Sequence, residues 1–184
     1  MARKLRVWYP GAMYHITARG NRRNVLYYDD QDYLKYLSLL AVTRSNLPFL
    51  LHSYCLMPNH LHLQLETIDF PIQSIMHDIH SKYARYFNRR YDLVGHVFQG
   101  RYGAKLIDDR DYFMKVSRYI HLNPLEASIV DKLEEYKWSS YRSYMKLDPD
   151  NQYVNPEKTL SLFYNPQEEN FKKFVLEKVP GTKL

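Results

Sequence analysis

Asn59-His60-Leu61-His62-Leu63-Gln64-Leu65-Glu66 is the stretch on which the reading of this chain turns. Successive residues of a β-strand point to opposite faces. Leu61, Leu63 and Leu65 therefore share one face, which belongs to a core, while His60, His62, Gln64 and Glu66 share the other. Two imidazoles at i and i+2 on a rigid strand stand about 6–7 Å apart at their Cα atoms, close enough to converge on one ion. The same pattern suits a polar strand face whose histidines are merely solvated, so His-x-His alone leaves both readings open.

Working outward, Pro58-Asn59 forms a tight turn, and Pro48 to Met57 reads as the strand before it. Farther upstream, Gly11 to Thr17 predicts a first strand, with Met13, His15 and Thr17 alternating against Ala12, Tyr14 and Ile16. Asp29 or Asp30 caps a helix over 31–44, whose apolar stripe is Tyr33, Leu34, Leu37, Leu40 and Ala41. Downstream, 71–91 predicts a second helix with Ile72, Ile75, Met76, Ile79, Tyr83 and Tyr86 on one side. Val97 to Ile107 reads as a fourth strand interrupted at Gly100 and Gly103. Asp108 or Asp109 then caps a third helix that should end before Pro124. The order is that of an α+β, ferredoxin-like split βαβ fold: an antiparallel sheet plus an added C-terminal helix. Two helices on one face leave the other free for a ligand or for the third helix.

Composition narrows the class. At 184 residues, 45% hydrophobic and 25% charged, the chain suits one globular domain with a short extension and excludes a mainly disordered one. We place the domain at 1–145 and a partly helical extension at 146–184, with a short helix near 167–178. The single cysteine, Cys55, excludes an intramolecular disulfide framework and a thiol-rich zinc site. No apolar run reaches membrane-span length, and no apolar segment follows the basic Met1-Ala2-Arg3-Lys4-Leu5-Arg6, so the expected location is the cytoplasm, with no membrane partner. A net charge of +6 and 18 tyrosines favour a polyanion whose unpaired bases can stack. A basic stripe, Lys82, Arg85 and Arg89 with Arg90 beside it, runs along the second helix opposite its apolar side. Arg19, Arg22 and Arg23 follow the first strand, and Arg3, Lys4 and Arg6 precede it. Each reads either as a phosphate contact or as a solvated charge.

The third helix contains Ser117-Arg118-Tyr119-Ile120-His121-Leu122-Asn123-Pro124. Tyr119 and Asn123 are four apart and share a face. A tyrosine hydroxyl can act as a nucleophile, and an amide one turn away can offer oxygen to the same metal. Equally, Tyr119 can be a packing residue and Asn123 a C-terminal cap.

Taken together, these segments resemble a known family. Met57-Pro58-Asn59-His60-Leu61-His62 resembles the histidine-hydrophobe-histidine signature of the single-tyrosine HUH transposases, and Tyr119 to Pro124 resembles their nucleophile helix. Tyr14-His15-Ile16-Thr17 with Arg19-Gly20-Asn21, Val97-Phe98-Gln99-Gly100-Arg101-Tyr102 and Trp138-Ser139-Ser140-Tyr141 resemble the REP-associated tyrosine transposases. The resemblance covers about residues 8–145 in order.

It implies a divalent-metal-dependent enzyme that nicks and rejoins single-stranded DNA beside a hairpin, acting in the bacterial cytoplasm on nucleoid DNA. Tyr119 would be the catalytic nucleophile, forming a 5′-phosphotyrosine. His60 and His62 would hold Mg²⁺ or Mn²⁺, with Asn123 as third ligand where more familiar members carry Gln. Arg19, Arg22, Arg23, Lys82, Arg85, Arg89, Arg90 and Arg101 are the candidate DNA contacts. A homodimer is possible in such a family, with the tyrosine helix serving its own chain or its partner's. The alternatives are a domesticated or non-catalytic single-stranded nucleic-acid-binding module of ferredoxin-like fold, and a hydrolase using water as nucleophile.

Overall fold

A computed structural model describes residues 7–177; Arg3, Lys4 and Arg6 lie outside them. Four strands, β1 (Met13–Arg19), β2 (Phe49–Met57), β3 (His60–Thr67) and β4 (Gly103–Ile107), form one sheet in the order β2-β3-β1-β4, every neighbouring pair antiparallel. Helix α1 (Asp30–Asn46) joins β1 to β2, and α2 (Ile72–Tyr91) joins β3 to β4. This is the split βαβ arrangement expected, with α3 (Arg110–Glu126) added after β4.

The two faces of β3 part as the alternation requires. Leu61, Leu63 and Leu65 are completely buried in one cluster with Ile72, Ile75, Met76, Ile79 and Tyr83 of α2 and Tyr36, Leu37 and Leu40 of α1. On the opposite face, α3 lays Phe113, Val116 and Ile120 against Cys55, Met57 and Ile107. The third helix thus occupies the face left free by the first two, except at the end where His60 and His62 stand.

Several boundaries moved. The N-cap of α1 is Asp29, whose carboxylate accepts from the backbone N–H of Gln31 and Asp32. Its buried side runs through Tyr33, Tyr36, Leu37, Leu40 and Thr43, and Leu34 is 53% exposed. Phe87 is buried on α2, whereas Tyr86 is half-buried with its hydroxyl donating to Asp32. Val97 to Gly100 does not join β4: Gly100 adopts φ +66°, open to glycine at little cost, and Phe98 bridges to Gly20 instead.

Helix α3 is capped by Asp109 and runs through Pro124 to Glu126, so Asn123 is not its C-terminal cap. A proline in the last turn forfeits one backbone bond only, and burial of Asn123 and Pro124 holds the helical course. The open edge of β2 is covered where Leu56 N–H donates to Trp138 and Ser140 N–H donates to Tyr54. Tyr141 is fully buried and Trp138 stacks on Tyr33 at 4.3 Å, so both are packing anchors. Beyond Tyr144, two short helices, α4 (Glu157–Leu160) and α5 (Gln167–Leu176), follow; Phe171 and Val175 are fully buried.

Two ion-pair networks tie these parts together. Asp32, fully buried, accepts from Tyr28 N–H, from the hydroxyls of Tyr86 and Tyr91, and from Arg90 at 2.7 Å; Arg90 also forks onto Asp29 at 2.6 Å. Removing one partner of a buried pair strands the other charge. Arg90→Ala should therefore lower the melting temperature by several degrees, measured by circular dichroism, and an unchanged transition would show the network to be dispensable.

Glu66 bonds His52 at 2.7 Å and Lys158 at 2.6 Å, joining the sheet to α4. The bond from His52 holds its carboxyl down to about 2, from an ordinary 4.5. A depressed carboxyl contributes stability above its unfolded value, lost as pH falls through the folded one. Wild-type unfolding free energy should thus fall between pH 4.5 and 2 by about 2 kcal/mol more than that of Glu66→Gln. Parallel acid curves would remove Glu66 as a contributor.

Candidate active site

The polar face of the sheet is assembled by register. Thr17 pairs with His62, Arg19 with His60 and His15 with Gln64 across β1 and β3; Lys105 of β4 stands opposite His15. Directly paired residues face the same way. One corner of the sheet therefore carries Arg19, His60, Thr17, His62 and His15 together.

Helix α3 borders this corner and brings Tyr119 over it. The Tyr119 ring meets His62 edge-on at 5.2 Å between centroids and His15 at 5.7 Å, and His60 lies 5.2 Å from His62. A cleft of about 270 Å³ opens here, lined by His60, His62, Tyr119, Arg19, Arg101 and Gln99 among others. Gly103 forms part of its wall, and a Cβ there would approach Thr17 Oγ1 to 2.5 Å, so glycine keeps strand and cleft open. His121, two residues along, faces the other way into the core: its ring donates to or accepts from Ser140 Oγ at 2.8 Å, and burial lowers its pKa to about 3.

The hydrogen bonds decide which atoms remain available. His60 Nδ1 lies 2.7 Å from Asn59 Oδ1, an acceptor only, so neutral His60 carries its proton on Nδ1. Asn123 donates from Nδ2 to the Tyr119 carbonyl at 2.7 Å, and its amide also interacts with His60 and with the Tyr119 side chain. Burial, then the positive charge of Arg19, holds His60 below its ordinary value; burial, then neighbouring His15 and His60, does the same to His62. Both imidazoles are therefore neutral, as ligation requires. Burial raises the Tyr119 hydroxyl above its usual value, opposed by the Asn123 bond and by Arg19.

Among the described residues, no three His, Cys, Asp or Glu side chains gather as a complete metal cage. Two neutral imidazoles and an amide fit a divalent cation only if further oxygens come from water or substrate, which suits a site acting on phosphate.

Of the predicted basic residues, Arg19 and Arg101 line the cleft. Arg22 and Arg23 are exposed in a short 3₁₀ turn, and Arg85 and Arg89 are exposed on α2, across the sheet from Tyr119. Lys82 is paired with Asp78 at 2.6 Å and Arg90 with Asp29 and Asp32, so these two are engaged within the fold. His15, Thr17 and Gln99 were not singled out as site residues by the sequence. The signal was present in the period-two polarity of β1, whose His15, Thr17 and Arg19 share one face.

The family model described as "Transposase IS200 like" matches residues 9–123, more than half of the chain. The chain belongs to the IS200-like transposases. Membership brings the class of DNA-cleaving, strand-transferring enzymes with it. Among solved structures, a REP-associated tyrosine transposase bound to a REP hairpin matches this family member with a TM-score of 0.69 and 17% identity, covering 79% of this chain and 86% of that one. That likeness carries the fold. A protein from Deinococcus radiodurans R1, provisionally named a transposase, matches with a TM-score of 0.44 and 19% identity over 65% of this chain and 95% of its own. No curated protein sequence matches the transposase. None of its helices among the described residues is long and apolar enough to cross a membrane.

Proposed function

We propose that this transposase nicks and rejoins single-stranded DNA beside a hairpin, with Tyr119 as nucleophile and His60, His62 and Asn123 as the holders of a divalent cation. The observation that carries the reading is the meeting of Tyr119 with His62 at 5.2 Å, with His60 beside them, at one basic cleft. The hairpin bound by the REP-associated enzyme supplies the substrate class.

The chemistry follows from the atoms present. The Tyr119 oxygen attacks phosphorus; the bond from phosphorus to the 3′ oxygen breaks; the phenolic proton is lost and the departing oxygen leaves as a 3′-hydroxyl. The product is a 5′-phosphotyrosine that keeps the energy of the broken bond, so a second 3′-hydroxyl can reverse the step and seal a strand. A bound Mg²⁺ or Mn²⁺ would neutralise phosphate oxygens and stabilise the charge that develops in line. Arg19 and Arg101 hold the strand at the cleft and oppose its charge. Arg19 and the Asn123 amide favour the phenolate that burial disfavours. Arg22 and Arg23 extend the basic track; Arg85 and Arg89 offer a second one on α2, to which Lys82 and Arg90 contribute little while they are paired.

The test is covalent capture. Hairpin oligonucleotides from the DNA flanking the gene, labelled at the 3′ end, are mixed with the protein and Mn²⁺ and run on a denaturing gel. Label travelling with the protein is the expected result. Cleavage without labelled protein would replace Tyr119 by water, and tight binding without cleavage would favour a domesticated binding module. Arg85→Ala combined with Arg89→Ala should lower the slope of log affinity against log salt by about 1–2. An unchanged slope would take α2 off the DNA track.

A further inference from the structure

His15 is 8% exposed, and its Nε2 stands 3.1 Å from Nδ1 of His62. The two imidazoles differ in what their partners permit. Asn59 Oδ1 can only accept, so the proton of His60 has one place to go. His15 Nε2 can accept or donate. In one arrangement His62 donates Nδ1–H to His15 and keeps a lone pair on Nε2. In the other, His15 donates Nε2–H to His62, whose own proton then sits on Nε2 and blocks ligation. Both rings change tautomer together, so which of them donates across the 3.1 Å contact decides whether the second histidine of the pair can ligate.

Gln64, the next polar residue on the same strand face, is engaged elsewhere: Oε1 accepts from Ser53 Oγ at 2.8 Å and Nε2 donates to the Phe113 carbonyl at 2.9 Å. His15 reaches His62 because it sits two pairs along β1 from Thr17, the partner of His62, and so lies diagonal to His62 on the same face. The rings are stacked at 5.4 Å and 28°, and the Tyr119 ring rests edge-on against both. The same pair that sets the donor atom therefore also forms the platform under the nucleophile.

We infer that His15 is a positioning residue of this site: it accepts the Nδ1 proton of His62, keeps a lone pair on Nε2 of His62, and thereby makes the pair His60 and His62 able to take up a divalent cation. Partners of this kind commonly set ligand affinity by 10- to 100-fold. The inference rests on the metal reading proposed above.

The experiment uses full-length, DNA-free protein, so neither cleavage nor substrate enters. Long-range ¹H–¹⁵N correlation spectra of ¹⁵N-histidine-labelled protein report the tautomer of each ring, and Mn²⁺ titration followed by electron paramagnetic resonance reports affinity. His62 of the wild type is expected as the Nδ1–H form. His15→Phe, which keeps a ring and removes the acceptor, should weaken Mn²⁺ binding about 10- to 100-fold and release His62 from the Nδ1–H form. His15→Gln, whose amide oxygen can stand where Nε2 stands, should restore both to near wild type. A His62 found as Nε2–H in the wild type would overturn the inference, as would His15→Phe binding Mn²⁺ like the wild type. If His15→Phe does not fold, the wild-type spectrum and His15→Gln still decide. No Mn²⁺ binding by the wild type, or binding that survives His62→Ala, would overturn the metal reading itself.

Discussion

Tyr119→Phe should abolish the protein–DNA adduct and lower strand cleavage by at least about 10³-fold, while hairpin affinity stays within a few-fold of wild type. The substitution removes one oxygen. The ring, whose edge contacts with His62 and His15 position it, is retained, as is the Asn123 bond to the backbone carbonyl of residue 119. A loss confined to chemistry is then the signature of a nucleophile, because an interaction made only in the reacting state lowers turnover without weakening binding. His121 and Tyr112 provide contrasts on the same helix. His121 is completely buried against Ser140, Tyr144 and Phe171, so its replacement should cost stability. Tyr112 lies under Lys105 rather than in the cleft, and Tyr112→Phe should still form the adduct. An adduct that persists in Tyr119→Phe would move the nucleophile elsewhere.

The second large effect is expected at the histidine pair. His60→Ala and His62→Ala should each lower divalent-dependent cleavage by about 10³-fold, and chelation of the wild type should do the same. His60 is half-buried, so thermal unfolding of His60→Ala should shift little; His62 is 6% exposed and bonded to His15, so His62→Ala should cost some stability as well, and its activity is compared at a temperature where the variant remains folded. Hairpin binding is expected to persist in both. If both variants cut normally, the cation is not held by this pair. The two predictions separate cleanly, since Tyr119→Phe should still bind Mn²⁺ whereas the histidine variants should not.

Much of this is legible in the sequence. Period-two alternation in Leu61, Leu63 and Leu65 set the core face of β3, because a strand has only two faces and burial selects one. Helical periodicity placed α1 and α2 within a residue or two, and the order of elements led to the split βαβ sheet. The family likeness carried by His60, His62, Tyr119 and their flanking motifs agrees with the family the chain belongs to. Local rules failed where long-range packing outweighed them. Helix α3 runs through Pro124 because the last turn loses little by it and the burial of Asn123 and Pro124 compensates. Leu34 faces solvent while Asp32 is buried, because Arg90 and three tyrosines gather around that carboxylate.

What the sequence by itself determined was the set of chemical groups and, for the strands, the face each occupies, since a period of two leaves only two faces. Only the tertiary structure decided their pairings. Registers between strands distant in sequence brought His15 to His62 across 47 positions, and they placed Arg19 beside His60. The path of α2 against α1 likewise engaged Arg90 with Asp29 and Asp32, 61 and 58 positions away, leaving Arg85 and Arg89 exposed on the same helix. Such contacts depend on how whole elements dock, and no periodicity within a single element contains that information.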